Sequence, residues 1–183
     1  MQALTVPAQI EPVEVTLRNG RSVQLRALQS TDTDELLQAF ARLSANTRYM
    51  RFMRAVAHLD PANVRSAIER VLEHGLSIVA TVSADDGIDI VGGASFVVGA
   101  DPQTCEFAIT IVDGWQGCGL GGLLMRRLIE AARQRGLRTM EGFVLATNQP
   151  MLDLAKSLGF HSRPDADDYT TRVVRLDLQA GGA

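Results

Sequence analysis

The residues best suited to chemistry lie in one run, IVDGWQGCGLGGLLMRRL, from Ile111 to Leu128. An apolar stretch ends at Val112. Gly117, Gly119, Gly121 and Gly122 follow, and a helical pattern begins near Leu120. Glycine lets the backbone approach an anion with no Cβ in the way, and a helix N-terminus offers free N–H donors at the positive end of its dipole. Together they describe a cradle for a diphosphate. Gly117, Gly119 and Gly122 also satisfy GxGxxG, the dinucleotide fingerprint, and Glu141 lies at about the distance of its ribose-binding acid. Position argues against that alternative. Only 61 residues of the 183 follow Gly122, and the strands before the loop pattern as an antiparallel meander. No GK[ST] follows the glycines, which excludes a P-loop. A tight strand-to-helix turn is the purely structural alternative.

The other reactive side chains are dispersed. Cys105 and Cys118 are solitary, and His58, His74 and His161 are scattered, so no metal site is expected. Lone, unpaired cysteines fit a reducing compartment. Among the 18 lysines and arginines only Lys156 is a lysine, which leaves few sites for self-acylation. Asp165, Asp167 and Asp168 form an acidic run that would attract a cationic amine or serve as a solvated loop.

The elements that position these residues follow from periodicity. VTLRNGRSVQLRAL alternates around Asn19-Gly20, a hairpin signal with a type I′ turn. Ser30 or Thr31 can cap a helix over Asp34 to Leu43, with Leu36, Leu37, Phe40 and Leu43 on one face. A second helix spans about Asn46 to Met53. Asp60-Pro61 opens a third, which runs to about Glu73 and stops at Gly75. Strands follow over Leu76 to Val82, Ile88 to Val98 (with a bulge or close approach at Gly92-Gly93) and Thr104 to Val112. The helix from Leu120 ends at Gly136. A strand covers Arg138 to Ala146, Asn148 caps a helix over Pro150 to Leu158, and a last strand spans Arg172 to Leu178. The pattern is α+β, with one strand–loop–helix–strand crossover. It implies a mixed, mostly antiparallel twisted sheet of about six to seven strands flanked by about four to five helices. A loose arm over 1–12 and a tail over 179–183 bracket one domain over 13–178.

Composition bounds the function. The chain is 46% hydrophobic and 21% charged, with a formal charge of −3. Disorder is excluded and a generally basic nucleic-acid binder is not expected. The longest uncharged runs, Ile90 to Ala100 and Gly114 to Met125, are shorter than the roughly 18–20 residues of a membrane helix. No signal peptide is read at the start, so a cytoplasmic location is expected.

The glycine loop carries a more specific pattern, Gln116-x-x-Gly119-x-Gly121. QGCGLGGLLMRRLIEAARQRG resembles the acyl-CoA-binding motif of the GNAT superfamily of N-acetyltransferases. Downstream, NQPMLDLAKSLGF is similar to that family's Asn-led helix ending in a Gly-Phe pair, here Gly159 and Phe160. The resemblance covers roughly Val13 to Leu178. LSANTRYMRF, from Leu43 to Phe52, resembles a segment of bacterial protein-lysine acetyltransferases, of which this chain would be a stand-alone relative. Ordinary packing is the alternative there: Tyr49, Phe52 and Met53 in the core, Arg48 and Arg51 solvated or ion-paired.

The resemblance implies acetyl-CoA as cosubstrate, without a metal, lying in a splayed gap beside the strand that ends at Val112. The backbone of Ile111 and Val112 would bond the pantetheine. The N–H groups of Gln116, Gly117, Cys118, Gly119, Leu120, Gly121 and Gly122 would hold the diphosphate, and Asn148 would reach the pantetheine arm. Glu106 matches the family's acidic position for the general base, with burial beside Phe107 and Ile109 expected to raise its pKa. A solvent-facing strand glutamate is the alternative. The family's tyrosine four residues before the Gly-Phe glycine is Ala155 here, and Tyr49 and Tyr169 do not match it. Cys118 stands where arginine is frequent, which puts a thiol near the expected diphosphate. The implied activity is transfer of an acetyl group to an amine by direct attack in a ternary complex, with a protein lysine ahead of a small-molecule amine as acceptor. A non-catalytic acyl-CoA sensor and an NAD-dependent oxidoreductase are the competing readings. A homodimer is expected at the level of the family.

Overall fold

The computed structural model describes residues 10–180. The first part of the N-terminal arm and the end of the tail lie outside them. The strands are β1 (Val13–Thr16), β2 (Ser22–Ala27), β3 (Gly75–Ala84), β4 (Gly87–Val98), β5 (Thr104–Ile111), β6 (Thr139–Leu145), β7 (His161–Pro164) and β8 (Thr171–Asp177). The helices are α1 (Thr33–Ala41), α2 (Ala45–Phe52), α3 (Pro61–His74), α4 (Leu120–Gln134) and α5 (Gln149–Ser157). The fold is the α+β one expected. The strands form one sheet in the order β1-β2-β3-β4-β5-β6-β8-β7, antiparallel except for β5 against β6. No helix among the described residues is long and apolar enough to cross a membrane.

Alternation along β3 sorts the two sides of the sheet. Leu76, Ile78 and Ala80 join the core beneath α4, with Leu120, Leu124, Met125 and Leu128. Val79 points the other way, into a second core with Phe40 and Leu43 around α1 and Val64 and Ile68 of α3. Helices therefore cover both faces, and the sheet centre is buried from either side.

Several local details differ from the sequence reading. The β1–β2 connection is not a type I′ turn: Gly20 has φ +82°, but Asn19 does not share the positive φ. Gly20 N–H instead closes a turn on the Leu17 carbonyl at 2.9 Å, and Leu17 N–H bonds Arg21 O at 2.8 Å, the longer hairpin loop that needs one left-handed glycine. Neither Ser30 nor Thr31 caps α1; Asp32 holds the N-cap position, and its carboxylate is turned to Arg26 at 2.7 and 2.8 Å. Gly75 ends α3 in extended backbone (φ −157°), not in a left-handed turn. Its small size is needed because a Cβ there would lie 1.8 Å from the Phe96 carbonyl oxygen. The bulge falls beside Gly92, where the register slips from Ala80↔Gly92 to Thr81↔Ile90. The unanticipated strand is β7, HSRP, a polar exposed edge paired with β8.

Candidate active site

The feature that makes a site is a break in the sheet. β5 and β6 pair over only Thr104↔Thr139, Cys105↔Met140 and Glu106↔Glu141, then separate. Phe107 packs across the sheet face at the point of separation. Its ring lies where a side chain at position 142 would stand, so a Cβ on Gly142 would meet Phe107 Cε1 at 2.6 Å. The ring is held there edge-on to Phe160, with centroids 5.3 Å apart. Gly142→Ala is therefore expected to displace the ring. Overpacking of this kind costs about 1–3 kcal/mol, and thermal unfolding would register it as a lowered midpoint.

The antiparallel ladder on the other side of β5 fixes what faces the gap. Val112 N–H bonds the Val91 carbonyl at 3.0 Å. Alternation then turns the N–H and C=O of Ile111 and Ile109, and the C=O of Phe107, away from β4, toward the side that β6 has vacated. Ile111 is thus oriented as expected, though its carbonyl also accepts from Gln116 Nε2 at 3.1 Å. Val112 is not: its N–H goes to β4 and its carbonyl accepts from Trp115 N–H at 2.8 Å. Ile109 turns both backbone groups to the gap and Phe107 its carbonyl, an orientation the sequence reading did not anticipate.

The gap widens into a cleft of about 690 Å³ that passes through the sheet. On one face it reaches the glycine loop, α4 and Asn148 ahead of α5. On the other it reaches Asn46, Thr47, Met50, Arg51 and Met53 of α2 and its end. At the loop, Gly117 (φ +73°) and Gly119 (φ +91°) take left-handed backbone, and Gly119 is the N-cap of α4. Gln116 N–H, expected to serve the diphosphate, is taken by the Asp113 carbonyl at 3.2 Å, whereas among the described residues no acceptor takes the N–H groups of Gly117, Cys118, Gly119, Leu120, Gly121 or Gly122. Arg18 lies across the loop, its Nε 3.0 Å from where a Gly119 Cβ would be, and Arg126 Nη1 is 3.2 Å from the corresponding point on Gly122. These two cations, from the β1–β2 hairpin and α4, were also missed. Donors without acceptors, flanked by guanidinium groups, are the chemistry of a polyanion site.

Asn148 caps α5, its Oδ1 accepting from Met151 N–H at 3.3 Å. Its amide NH2 remains for a ligand. Cys118 is buried, and its thiol donates to the Trp115 carbonyl at 2.9 Å. Only its backbone belongs to the cradle, so the expectation of a thiol beside the diphosphate does not hold. Trp115 packs beneath the loop, with the Arg21 guanidinium 3.2 Å from its ring centre. Glu106 lines the cleft, but it is exposed. The apolar burial anticipated for it is absent, because Phe107 and Ile109 point to the opposite face of β5.

The segment Leu43 to Phe52 does more than pack. Tyr49 and Met53 are exposed at 46% and 37%, so neither is core. Phe52 stacks edge-on to Phe40, and Arg48 bonds the carbonyls of Ala41 and Ala57 at 3.1 Å each. Its start is tied to the glycine loop through Asp113. Ser44 N–H and Oγ donate to that carboxylate at 2.9 and 2.7 Å, and Thr47 Oγ1 at 2.9 Å. Burial opposes the Asp113 charge, yet the bonds from Ser44 and Thr47 prevail and hold its pKa below the ordinary 3.8. A depressed carboxylate pKa adds stability above the unfolded value, and that stability is lost as pH falls through the folded one. Asp113→Asn should therefore lower the melting midpoint at neutral pH, with the difference from the wild type shrinking below about pH 4. A difference independent of pH would rule out the ionised tether.

The remaining candidates stand apart. Ala155 is buried at 1% and offers no phenol, while Tyr49 and Tyr169 do not line the cleft. Asp168 is occupied by Thr170 and Thr171, whose hydroxyls donate at 2.6 and 2.7 Å. Glu141 pairs with Glu106 in the sheet, five residues of β5 away from its end at Ile111, roughly 16 Å at 3.3 Å per residue. It cannot serve a ribose at the glycine loop, and the antiparallel sheet excludes the doubly wound dinucleotide fold.

A family model described as an acetyltransferase (GNAT) domain matches residues 22–161. An acetyltransferase of Pseudomonas aeruginosa is 36% identical over 163 residues, 89% of this chain and 88% of that protein. The GNAT domain of Streptomyces lividans PAT has the same fold, with a TM-score of 0.81 at 20% identity, covering 91% of this chain and 96% of that one. A Salmonella typhimurium protein solved with its cofactor acetyl-CoA also shares it, with a TM-score of 0.66 at 22% identity over 88% and 96% of the two chains. The break between β5 and β6, the unpartnered amides beyond it and these likenesses agree: the chain belongs to the GNAT family of acetyltransferases.

Proposed function

We propose that the chain transfers the acetyl group of acetyl-CoA to an amine, both substrates being bound at once in the cleft between β5 and β6. The observation that carries this reading is the run of free N–H groups from Gly117 to Gly122 opening onto a gap whose edge presents Ile111, Ile109 and Phe107 backbone. The residues present fit the cosubstrate. Free amides with Arg18 and Arg126 suit a diphosphate. An unpaired strand edge suits the amide-bearing pantetheine arm, and the Asn148 amide adds a donor beside it. Bound acetyl-CoA supplies an activated acetyl thioester. The chain's part is to bind, to orient and to move a proton.

Glu106 accepts the proton of the attacking amine. It stands at the last paired position before the gap, on the face that looks toward α2, and it shares the cleft with Ala108 and Thr110. An amine entering from that face reaches the strand edge with the carboxylate beside it. Among the described residues no phenol lines the cleft, so the thiolate leaves without a tyrosine acid. A direct transfer of this kind is tested by initial-rate kinetics with acetyl-CoA and an amine varied together. Intersecting double-reciprocal lines are expected; parallel lines, diagnostic of an acetylated enzyme, would contradict the ternary complex.

A further inference from the structure

Beside the cleft lies a second cavity of about 420 Å³, between the sheet and α1 and α3. Leu36, Phe40, Val64, Ile68 and Val79 are among its walls, and Asn63, Ser77, Ser95, Thr110 and Arg51 are its polar side chains. Arg51, Ala108 and Thr110 line both cavities, so the chamber adjoins the cleft at Arg51. The geometry points to an acceptor that carries a carboxylate close to its amine and an apolar side chain, the simplest case being a hydrophobic α-amino acid. This rests on the acetyl-transfer reading above and names the acceptor class for that site.

Arg51 carries the argument. Its Nε donates to Thr110 Oγ1 at 3.1 Å, and its guanidinium lies 5.1 Å from the Phe52 ring centre. Among the described residues its two terminal nitrogens have no hydrogen-bond partner and it forms no direct ion pair. Protein crowds the group enough for desolvation to lower its pKa, with the nearby Glu106 charge acting in the opposite direction. A guanidinium held among apolar walls by one neutral hydroxyl leaves a planar pair of donors unused, and a carboxylate matches that fork. Glu106 and Arg51 then present opposite charges toward the same space. A zwitterion fits between them in one orientation, its ammonium toward Glu106 and its carboxylate toward Arg51. The side chain is left to enter the chamber, whose walls suit an aliphatic or aromatic group.

The test compares L-phenylalanine with phenethylamine, which keeps the amine and ring but lacks the carboxylate, each as acceptor at saturating acetyl-CoA. A charge-assisted pair implies that kcat/KM for the amino acid exceeds that for the amine by roughly 10- to 100-fold. Arg51→Gln should bring the two within about threefold by raising KM for L-phenylalanine while kcat changes little, and Arg51→Lys should restore part of the preference. Ala39→Leu, which narrows the chamber and leaves Arg51 in place, should penalise L-phenylalanine but not L-alanine. No preference in the wild type, or equal loss of kcat on both acceptors in Arg51→Gln, would overturn the proposal. Acetylation of a lysine peptide without acetylation of L-phenylalanine would overturn it and leave the acetyl-transfer reading intact. Failure of acetyl-CoA to bind at all would remove both. The wild-type comparison needs no variant to fold.

Discussion

Glu106→Gln is expected to lower kcat by about 100-fold or more, the range in which a positioned general base contributes, with little change in acetyl-CoA affinity. The substitution keeps the shape and removes the proposed proton acceptor. Glu106 lies at the final β5–β6 pair, so its backbone is fixed by the sheet while its side chain remains in the cleft. Its backbone pairing also continues into β4 at Val97, so the strand around the variant is held from both sides. The deficit should narrow as pH rises toward the pKa of the acceptor amine, because an amine that has already lost its proton needs no base. Steady-state rates over a pH series would read both features. A loss below about fivefold, or a deficit constant with pH, would place the proton transfer elsewhere.

The second large effect is expected at the loop. Gly119→Val should weaken acetyl-CoA binding by about 100-fold, or about 2.7 kcal/mol. Gly119 sits at φ +91°, a conformation that a β-branched residue cannot adopt without strain, and a Cβ there would press on Arg18 at 3.0 Å. Relief of that strain would turn the free N–H groups and move one of the two flanking cations. The variant should also lose roughly 1–3 kcal/mol of stability through the backbone alone. Gly136→Val separates the two consequences. Gly136 has φ +75° with nothing within 4 Å of its Cβ position, at the far end of α4. It should show a comparable stability loss with acetyl-CoA affinity unchanged. Calorimetric titration of both variants distinguishes a damaged cradle from a damaged fold.

What the sequence disclosed follows from the range of the interactions involved. The glycine loop, the Asn148 cap and the element order are local: a few neighbouring residues specify each one. Arg18, Asp113 and Arg51 became visible only in three dimensions, since their partners lie far away in the chain. Ser44 and Asp113 are 69 positions apart, and Arg51 and Thr110 are 59 apart. β7 escaped notice because HSRP is polar, short and contains proline, and its pairing with β8 supplies what its pattern does not. Cys118 and Tyr49 show the opposite error. A residue inside a functional motif need not aim its side chain at the ligand, and an aromatic at helical spacing need not face the core. Cys118 turns its thiol to Trp115, and Tyr49 lies on the outer side of α2.

Thermal unfolding with acetyl-CoA, CoA or NADH tests the central claim most directly, because it requires no knowledge of the acceptor. A ligand at about 100 times its dissociation constant adds roughly 2.7 kcal/mol to the folded state, a plainly measurable rise in midpoint. A rise with acetyl-CoA and with CoA, none with NADH, and loss of the rise in Gly119→Val is the result expected from a diphosphate held at Gly117 to Gly122. A rise with NADH alone, or none with acetyl-CoA, would contradict the assignment of the β5–β6 gap.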